Sequence, residues 1–550
     1  MPALLTPVET LLQRAKKTPD DPWLHQSING HWGSYSYAEC ADKVMRMATA
    51  LQAQGWPKGS VVAIAGRNTA HWFLADLAIN AAGYVSVGLY PKQSAEHTRY
   101  IVEHSEAKAV IVGPMMDADE FMGALPHGLL TIRMPFPDAS PCQLEWETLE
   151  ARHGRLLRPE ERPSDALVTL VYTSGTTGNP KGVMLSWDNA RFTIEGMLKV
   201  MPAKGQEVFF SYLPLAHMFE RGAIEFSSLY LGAEIHFLEH LEKLPEQLAF
   251  VRPTRFFGVP LVYTRIQAGI LKRMPQEKLD RLLKIPVLSS LVKSKIKKAI
   301  GLDRAWMVVS GAAPMPRPLL EWFEKLDLQI LQGYGMTENS IYATVSTPKA
   351  NRIGAVGREM PDANMKISEE GEILFKHAGV MQGYYKEPEK TRDTFTADGY
   401  LRTGDKGHVD ADGYLFITGR VKDIFKTMKG KYVAPAPIEG ALARNTDIDQ
   451  LCFTGSELKQ PIMLVSLSDA GRAKSREQVE QGLVADMDAV NATLEPHEAI
   501  GKIVVVKDAW TIDNNLMTPT MKVKRNEIEK RYGELIRKEG ETRNKVSWEA

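Results

Sequence analysis

The chain has 550 residues, 44% of them hydrophobic and 24% charged. That length exceeds what one hydrophobic core organises, so at least two domains are expected. With 67 basic and 67 acidic side chains the formal net charge is zero, which removes the electrostatic signature of a nucleic-acid binder.

In chain order, residues 60–65 predict a short apolar strand, 71–82 a helix, 84–89 a strand, 95–107 a helix and 109–112 a strand. This alternation is the pattern of an α/β fold, with a mostly parallel sheet covered by helices on both faces. Residues 166–171 read as a buried strand. The loop after it, Tyr172-Thr173-Ser174-Gly175-Thr176-Thr177-Gly178-Asn179-Pro180-Lys181-Gly182, holds three glycines, four aliphatic hydroxyls and one lysine. Such a loop suits a polyphosphate: glycines let backbone N–H groups approach the oxygens, hydroxyls donate and the lysine adds a cation. It lacks the Gly-Lys-Ser/Thr ending of the Walker A pattern. A plain surface loop is the competing reading.

Residues 271–300 carry nine lysines and arginines against two acids, interleaved with Leu, Ile and Val. A solvated helical face and an amphipathic surface for anionic lipid headgroups both fit. Residues 328–331 predict another strand. Turn signals crowd 398–413, and 409–419 predicts a hairpin. A helix at 437–445 and strands at 451–454, 461–466 and 503–507 suggest a small α+β domain. The expected division is 1–420 and 421–550.

Cys40, Cys142 and Cys452 are far apart, which argues for a reducing compartment and against a disulfide framework. The N-terminus shows no secretory signal, and no apolar run is long enough for a bilayer. The expected location is the cytosol, with peripheral contact at the inner face of a membrane left open.

Further stretches carry chemistry. Gln332-Gly333-Tyr334-Gly335-Met336-Thr337-Glu338 places a tyrosine where it can lie against a purine, and a carboxylate suited to Mg²⁺. Thr403-Gly404-Asp405 sets a carboxylate after a turn, where it could accept from both ribose hydroxyls. Gly419-Arg420-Val421-Lys422-Asp423 supplies a guanidinium at the domain boundary. Residues 516–525 form a loop with three cations, Lys522, Lys524 and Arg525. His217 sits in an apolar stretch, either as a core residue or as a gate to a pocket. Each motif alone also has a purely structural reading.

Together and in this order, over about 36–525, these motifs resemble the adenylate-forming superfamily of acyl-CoA synthetases, adenylation domains and beetle luciferases. The stretches around His217, Gly258–Tyr263 and Lys429–Pro435 resemble long-chain acyl-CoA synthetases most. Leu261 departs from an arginine common there, and Ser310-Gly311-Ala312-Ala313-Pro314 varies their Ser-Gly-Gly-Ala-Pro.

The resemblance implies a large N-terminal domain of layered sheets and helices, followed by a small mobile C-terminal domain. It implies ligation of a fatty acid, long-chain by motif, to coenzyme A through acyl-AMP. Thr173, Ser174, Gly175, Thr176, Thr177, Gly178 and Lys181 would hold the phosphates. Gly311, Ala312, Gln332, Gly333, Tyr334, Gly335 and Thr337 would surround AMP. Asp405 and Arg420 would hold the ribose, and Glu338 with Thr173 would hold Mg²⁺. Lys522, with Lys524 as its rival by position, would bridge the carboxylate and the α-phosphate. Lys422 would be the hinge, Lys426 and Gly430 would serve the coenzyme A side, and His217 would move between states. A medium-chain or aryl acid, a carrier protein in place of coenzyme A, a degenerate non-catalytic site and a homodimer remain as alternatives.

Overall fold

A computed structural model describes residues 4–173, 179–428, 430–456, 458–518, 522–542 and 544–549. The predicted strand–helix alternation forms one side of the largest sheet. Its strands run Gly383–Tyr384, Lys181–Ser186, Leu167–Thr173, Val85–Leu89, Val61–Ala65, Ala109–Val112, Leu130–Arg133 and Leu144–Glu145. From Leu167–Thr173 to Leu144–Glu145 neighbouring strands pair in parallel, and the apolar runs of Val61–Ala65 and Ala109–Val112 suit burial on both faces. Thr69 caps the helix Ala70–Ala81 by accepting from Trp72 N, which marks its start more sharply than hydrophobic pattern alone.

A second sheet runs Arg255–Gly258, Met307–Ser310, Ile330–Tyr334, Thr344–Val345 and Arg358–Glu359. A third joins Val208–Ser211, Glu234–Phe237, Pro22–Ile28 and His31–Ser36. One core connects these three sheets, from Ile64 through Phe209 and Phe237 to Val309 and Leu331. A fourth sheet contains the predicted hairpin, Leu401–Val409 with Leu415–Arg420.

The last stretch builds its own sheet from Ile448–Thr454, Ile462–Leu467, Lys502–Val506 and Val546–Trp548. Alternate residues feed two cores: Phe453, Met463, Val465, Ile503 and Val505 on one face, Cys452, Ile462, Leu464, Val504 and Val506 on the other. Among the described residues, both cores draw only on those from Phe425 onward. The fold is the expected α/β class, with a large N-terminal part and a separate small α+β unit.

Candidate active site

The glycine-rich loop closes a hairpin. The strands Leu167–Thr173 and Lys181–Ser186 run antiparallel, with Tyr172 opposite Gly182 and Thr173 opposite Lys181. Thr173 and Lys181 therefore stand at the two roots of the loop. Ser174, Gly175, Thr176, Thr177 and Gly178 lie outside the described residues.

The Lys181 ammonium lies 4.6 Å from the centre of the Tyr384 ring. Tyr384 sits on the short strand beside Lys181–Ser186, opposite Val183. Its hydroxyl donates to Glu338 Oε1 at 2.8 Å. One phenol thus joins the lysine at the loop's root to the carboxylate expected to hold a metal. Sequence reading missed Tyr384, because its place depends on lateral strand pairing that no local spacing reveals.

Glu338 is 8% exposed and belongs to the turn Thr337–Asn339. Met381 N donates to its carbonyl at 2.8 Å, and Asn339 Oδ1 accepts from Met336 N at 2.9 Å. Gly335 is required by close approach: a Cβ there would fall 2.5 Å from the Ile341 carbonyl carbon. Gln332 is buried, and its amide donates to Ala355 O at 2.7 Å, so that side chain serves the scaffold.

Ser310 pairs in parallel with Gln332, which brings the C-terminal ends of two strands side by side. Open α/β sheets bind ligands at that end. Gly311 follows the first strand, where a Cβ would lie 3.4 Å from Gly333 O and 3.5 Å from the Phe219 ring. Ala312 is held at φ +65°, a left-handed conformation that costs a residue with a Cβ about 1–2 kcal/mol.

Asp405 and Arg420 are cross-strand partners. Arg420 Nε donates to Asp405 Oδ1 at 3.0 Å, and the Tyr334 hydroxyl donates to Oδ2 at 2.7 Å. The three motifs that supplied Tyr334, Asp405 and Arg420 from separate parts of the sequence thus meet in one cluster.

His217 caps the short helix Met218–Glu220, with its Nδ1 accepting from Phe219 N at 3.1 Å. Burial, then the Lys522 charge, lowers its pKa to about 3, so the imidazole is neutral. The next two residues anchor this turn from beneath. Glu220 accepts from Ser211 Oγ at 2.7 Å and Tyr212 N at 3.1 Å, and burial raises it to about 8. Arg221 opens a π-helical turn, Arg221–Phe226, and donates to Asp76 Oδ1 at 2.7 Å and Thr169 Oγ1 at 2.6 Å. Glu225 lies 3.4 Å away, its pKa pushed well up by burial and the Asp76 charge, and all three side chains are at most 1% exposed.

Lys522 comes from the other unit. The residue keeps an exposed face, yet the protein around its ammonium desolvates it. That desolvation, followed by the Arg420 charge, lowers its pKa to about 8, while Asp405 and Glu338 pull the other way. One lysine therefore senses the Asp405–Arg420 pair, Glu338 and His217 together. Lys524 is instead tied to Asn515 Oδ1 at 2.6 Å. Lys422 is exposed in the turn after the strand Leu415–Arg420, where Val421 N donates to Gly404 O at 2.8 Å. Lys426 and Gly430 lie in an exposed hairpin, Gly430 at φ +75°.

Comparison with known proteins agrees with this geometry. Residues 11–385 match the AMP-binding enzyme family, and 422–540 match the AMP-binding enzyme C-terminal domain. Fatty acyl-CoA synthetase A of Dictyostelium discoideum is 30% identical, over 92% of this chain and 86% of its own length. Long-chain-fatty-acid–CoA ligase ACSBG2 of Gallus gallus is 29% identical, over 96% and 80%. The adenylation domain of a carboxylate reductase from Mycobacterium chelonae superposes with a TM-score of 0.82 at 23% identity, over 97% of this chain and 91% of that one. O-Succinylbenzoate CoA synthetase from Bacillus subtilis, solved with its acyl-adenylate intermediate, gives 0.74 at 22% identity, over 94% and 97%. A fold of this kind, two matched domains and a match spanning most of the chain place it plainly: the protein belongs to the AMP-binding enzyme family.

Proposed function

We propose that the protein ligates a fatty acid, long-chain by preference, to coenzyme A in two half-reactions. A carboxylate oxygen attacks the α-phosphorus of ATP and pyrophosphate leaves, forming acyl-AMP. The coenzyme A sulfur then attacks the acyl carbon, its thiol proton is lost and AMP leaves. The observation that carries this reading is Lys522, whose ammonium feels Asp405–Arg420 and Glu338 at once. A cation there neutralises the repulsion between carboxylate and α-phosphate as charge develops.

The remaining assignments follow the same logic. Thr173, Lys181 and the loop between them hold the departing pyrophosphate. Tyr384 aligns Lys181 with Glu338. Asp405 and Arg420 hold the ribose, and Gly311, Ala312 and Tyr334 wall the adenine. Buried Glu338 offers a hard oxygen donor that fits Mg²⁺, with Thr173 beside the phosphates, and the ion would screen phosphate charge. His217, kept neutral, borders the acyl side without adding charge. The small unit begins at 421 and turns about Lys422 after adenylation, withdrawing Lys522 and presenting the hairpin of Lys426 and Gly430. Gly430 then leaves room for the incoming thiol, since it carries no side chain.

The test uses the full chain with ATP, Mg²⁺ and a long-chain fatty acid, offering coenzyme A or a carrier protein separately. Fatty-acid-dependent pyrophosphate release and an acyl-CoA product by mass spectrometry are expected. Exchange without thioester in the presence of coenzyme A would overturn the acceptor. Absence of fatty-acid-dependent exchange would overturn the reaction.

A further inference from the structure

The basic segment of the sequence forms two consecutive helices, Gln276–Leu283 and Pro286–Ala299. Their inner side is packed: Leu279 and Ile296 are buried, and Val292 and Leu283 lean on the same core. The outer side is unusual. Ile285, Val287, Leu288 and Leu291 are 49, 81, 38 and 51% exposed, and all fall within 285–291. Leu288, Leu291 and Lys295 share one helical face at i, i+3 and i+7, and Val287, Leu291 and Lys298 share it at i, i+4 and i+11. Residues 281–300 contain six lysines or arginines and no acid. Lys293 is paired with Asp327 at 2.9 Å, but Lys284, Lys295 and Lys298 are exposed. An apolar turn flanked by exposed cations is the arrangement that binds a negatively charged bilayer. Among the described residues no helix is long and apolar enough to cross a membrane, so the contact would be peripheral.

We propose that this helix pair docks the protein on an anionic phospholipid bilayer. The Ile285–Leu291 turn enters the acyl boundary, and Lys284, Lys295 and Lys298 reach the headgroups. The positive charge selects this occupant over a second copy of the chain, whose matching face would carry the same sign. The purpose of docking rests on the fatty-acid reading above: a long-chain acid partitions into bilayers. The same core that seats Leu279 and Ile296 continues to Tyr263, Val308 and Ile330, on elements that lead into the site.

The test is flotation of the full chain with vesicles, without ATP or coenzyme A. Phosphatidylcholine vesicles containing about a third phosphatidylglycerol should capture the protein at low salt, with capture falling as salt rises. Each lysine at an anionic surface is worth about fivefold, so Lys284→Gln, Lys295→Gln and Lys298→Gln combined should weaken partitioning about a hundredfold. Val287→Asp with Leu291→Asp should remove capture while circular dichroism and melting stay unchanged. Wild-type protein that ignores these vesicles, or binds pure phosphatidylcholine equally, would overturn the proposal. So would unchanged capture of both variants, or sedimentation showing that the apolar pair holds two copies together. Ligation of a long-chain acid presented in neutral detergent micelles, measured in parallel, keeps the two readings apart: its absence in every variant refutes the reaction, whatever the vesicles show.

Discussion

The charge beneath the site and the charge that completes it are held in opposite ways. Arg221 is fixed on every side, by Asp76, Glu225 and the Thr169 hydroxyl, in full burial within the large part. Lys522 sits on a loop of the other unit, and among the described residues its ammonium has no hydrogen-bond or ion-pair partner. The first arrangement makes a floor that cannot move. The second leaves a cation whose protonation and position remain adjustable. On the proposed two-step reading both are needed, because the nucleotide would stay while the helper would change.

The largest expected effect breaks the floor. Arg221→Met leaves the Asp76 carboxylate uncompensated in the core, beside a Glu225 that burial and the Asp76 charge already push toward its neutral form, and should cost about 3–5 kcal/mol, read from urea unfolding. A loss under about 1 kcal/mol would mean the triad is structurally idle. Breaking the movable cation is the contrasting case. Lys522→Ala should lower kcat/KM for fatty-acid-dependent ATP–pyrophosphate exchange by about 10²–10³. Its melting temperature should be unchanged, and thioester formation from supplied acyl-AMP should persist.

The pH profile sharpens the comparison. A lysine lowered to about 8 is charged below that pH and neutral above it. The kcat/KM of exchange should therefore fall above about pH 8, by about tenfold per unit. Lys522→Arg, charged throughout, should remove that limb even if its rate is lower. Tyr384→Phe should give the smallest change. It keeps the ring under Lys181 but removes the donor to Glu338, and a hydrogen bond to a charged group is worth about 1.5–3 kcal/mol. Exchange should drop with thioester formation from acyl-AMP unaffected, and equal losses in both steps would point to a general packing role.

Much of this architecture is legible in the sequence. The strand at 109–112 has the predicted bounds, and the hairpin at 409–419 has its turn where Asp410 to Gly413 suggest. Helix ends are less legible. The helix expected at 437–445 is Pro435–Leu442, because proline is accepted in a first turn. The helix expected to 107 stops at His104, where the chain turns through Glu106 at φ +58°. The strand expected at 328–331 is Ile330–Tyr334, extended by antiparallel pairing of Gly333 with Val345. In the candidate site, motif order picks out Tyr334, Asp405, Arg420 and Lys522, since each lies in a distinctive local string. It conceals Tyr384, whose partner Glu338 is 46 residues away, and the pairing of Arg221 with Asp76, 145 residues away. Glu220 and Arg221 follow His217 closely in the sequence, but only their buried partners show that they hold the turn from below.

Among the described residues the cores of the last unit contain none before Phe425, and this has a thermodynamic consequence. The chain should melt as two cooperative blocks, each with its own transition in a calorimeter. ATP alone, held mainly by the large block, should raise one transition by mass action. A non-hydrolysable acyl-adenylate mimic that also engages Lys522 binds both blocks at once. The two transitions should then draw together, so that heat capacity reports the closing of the cleft without any enzyme assay.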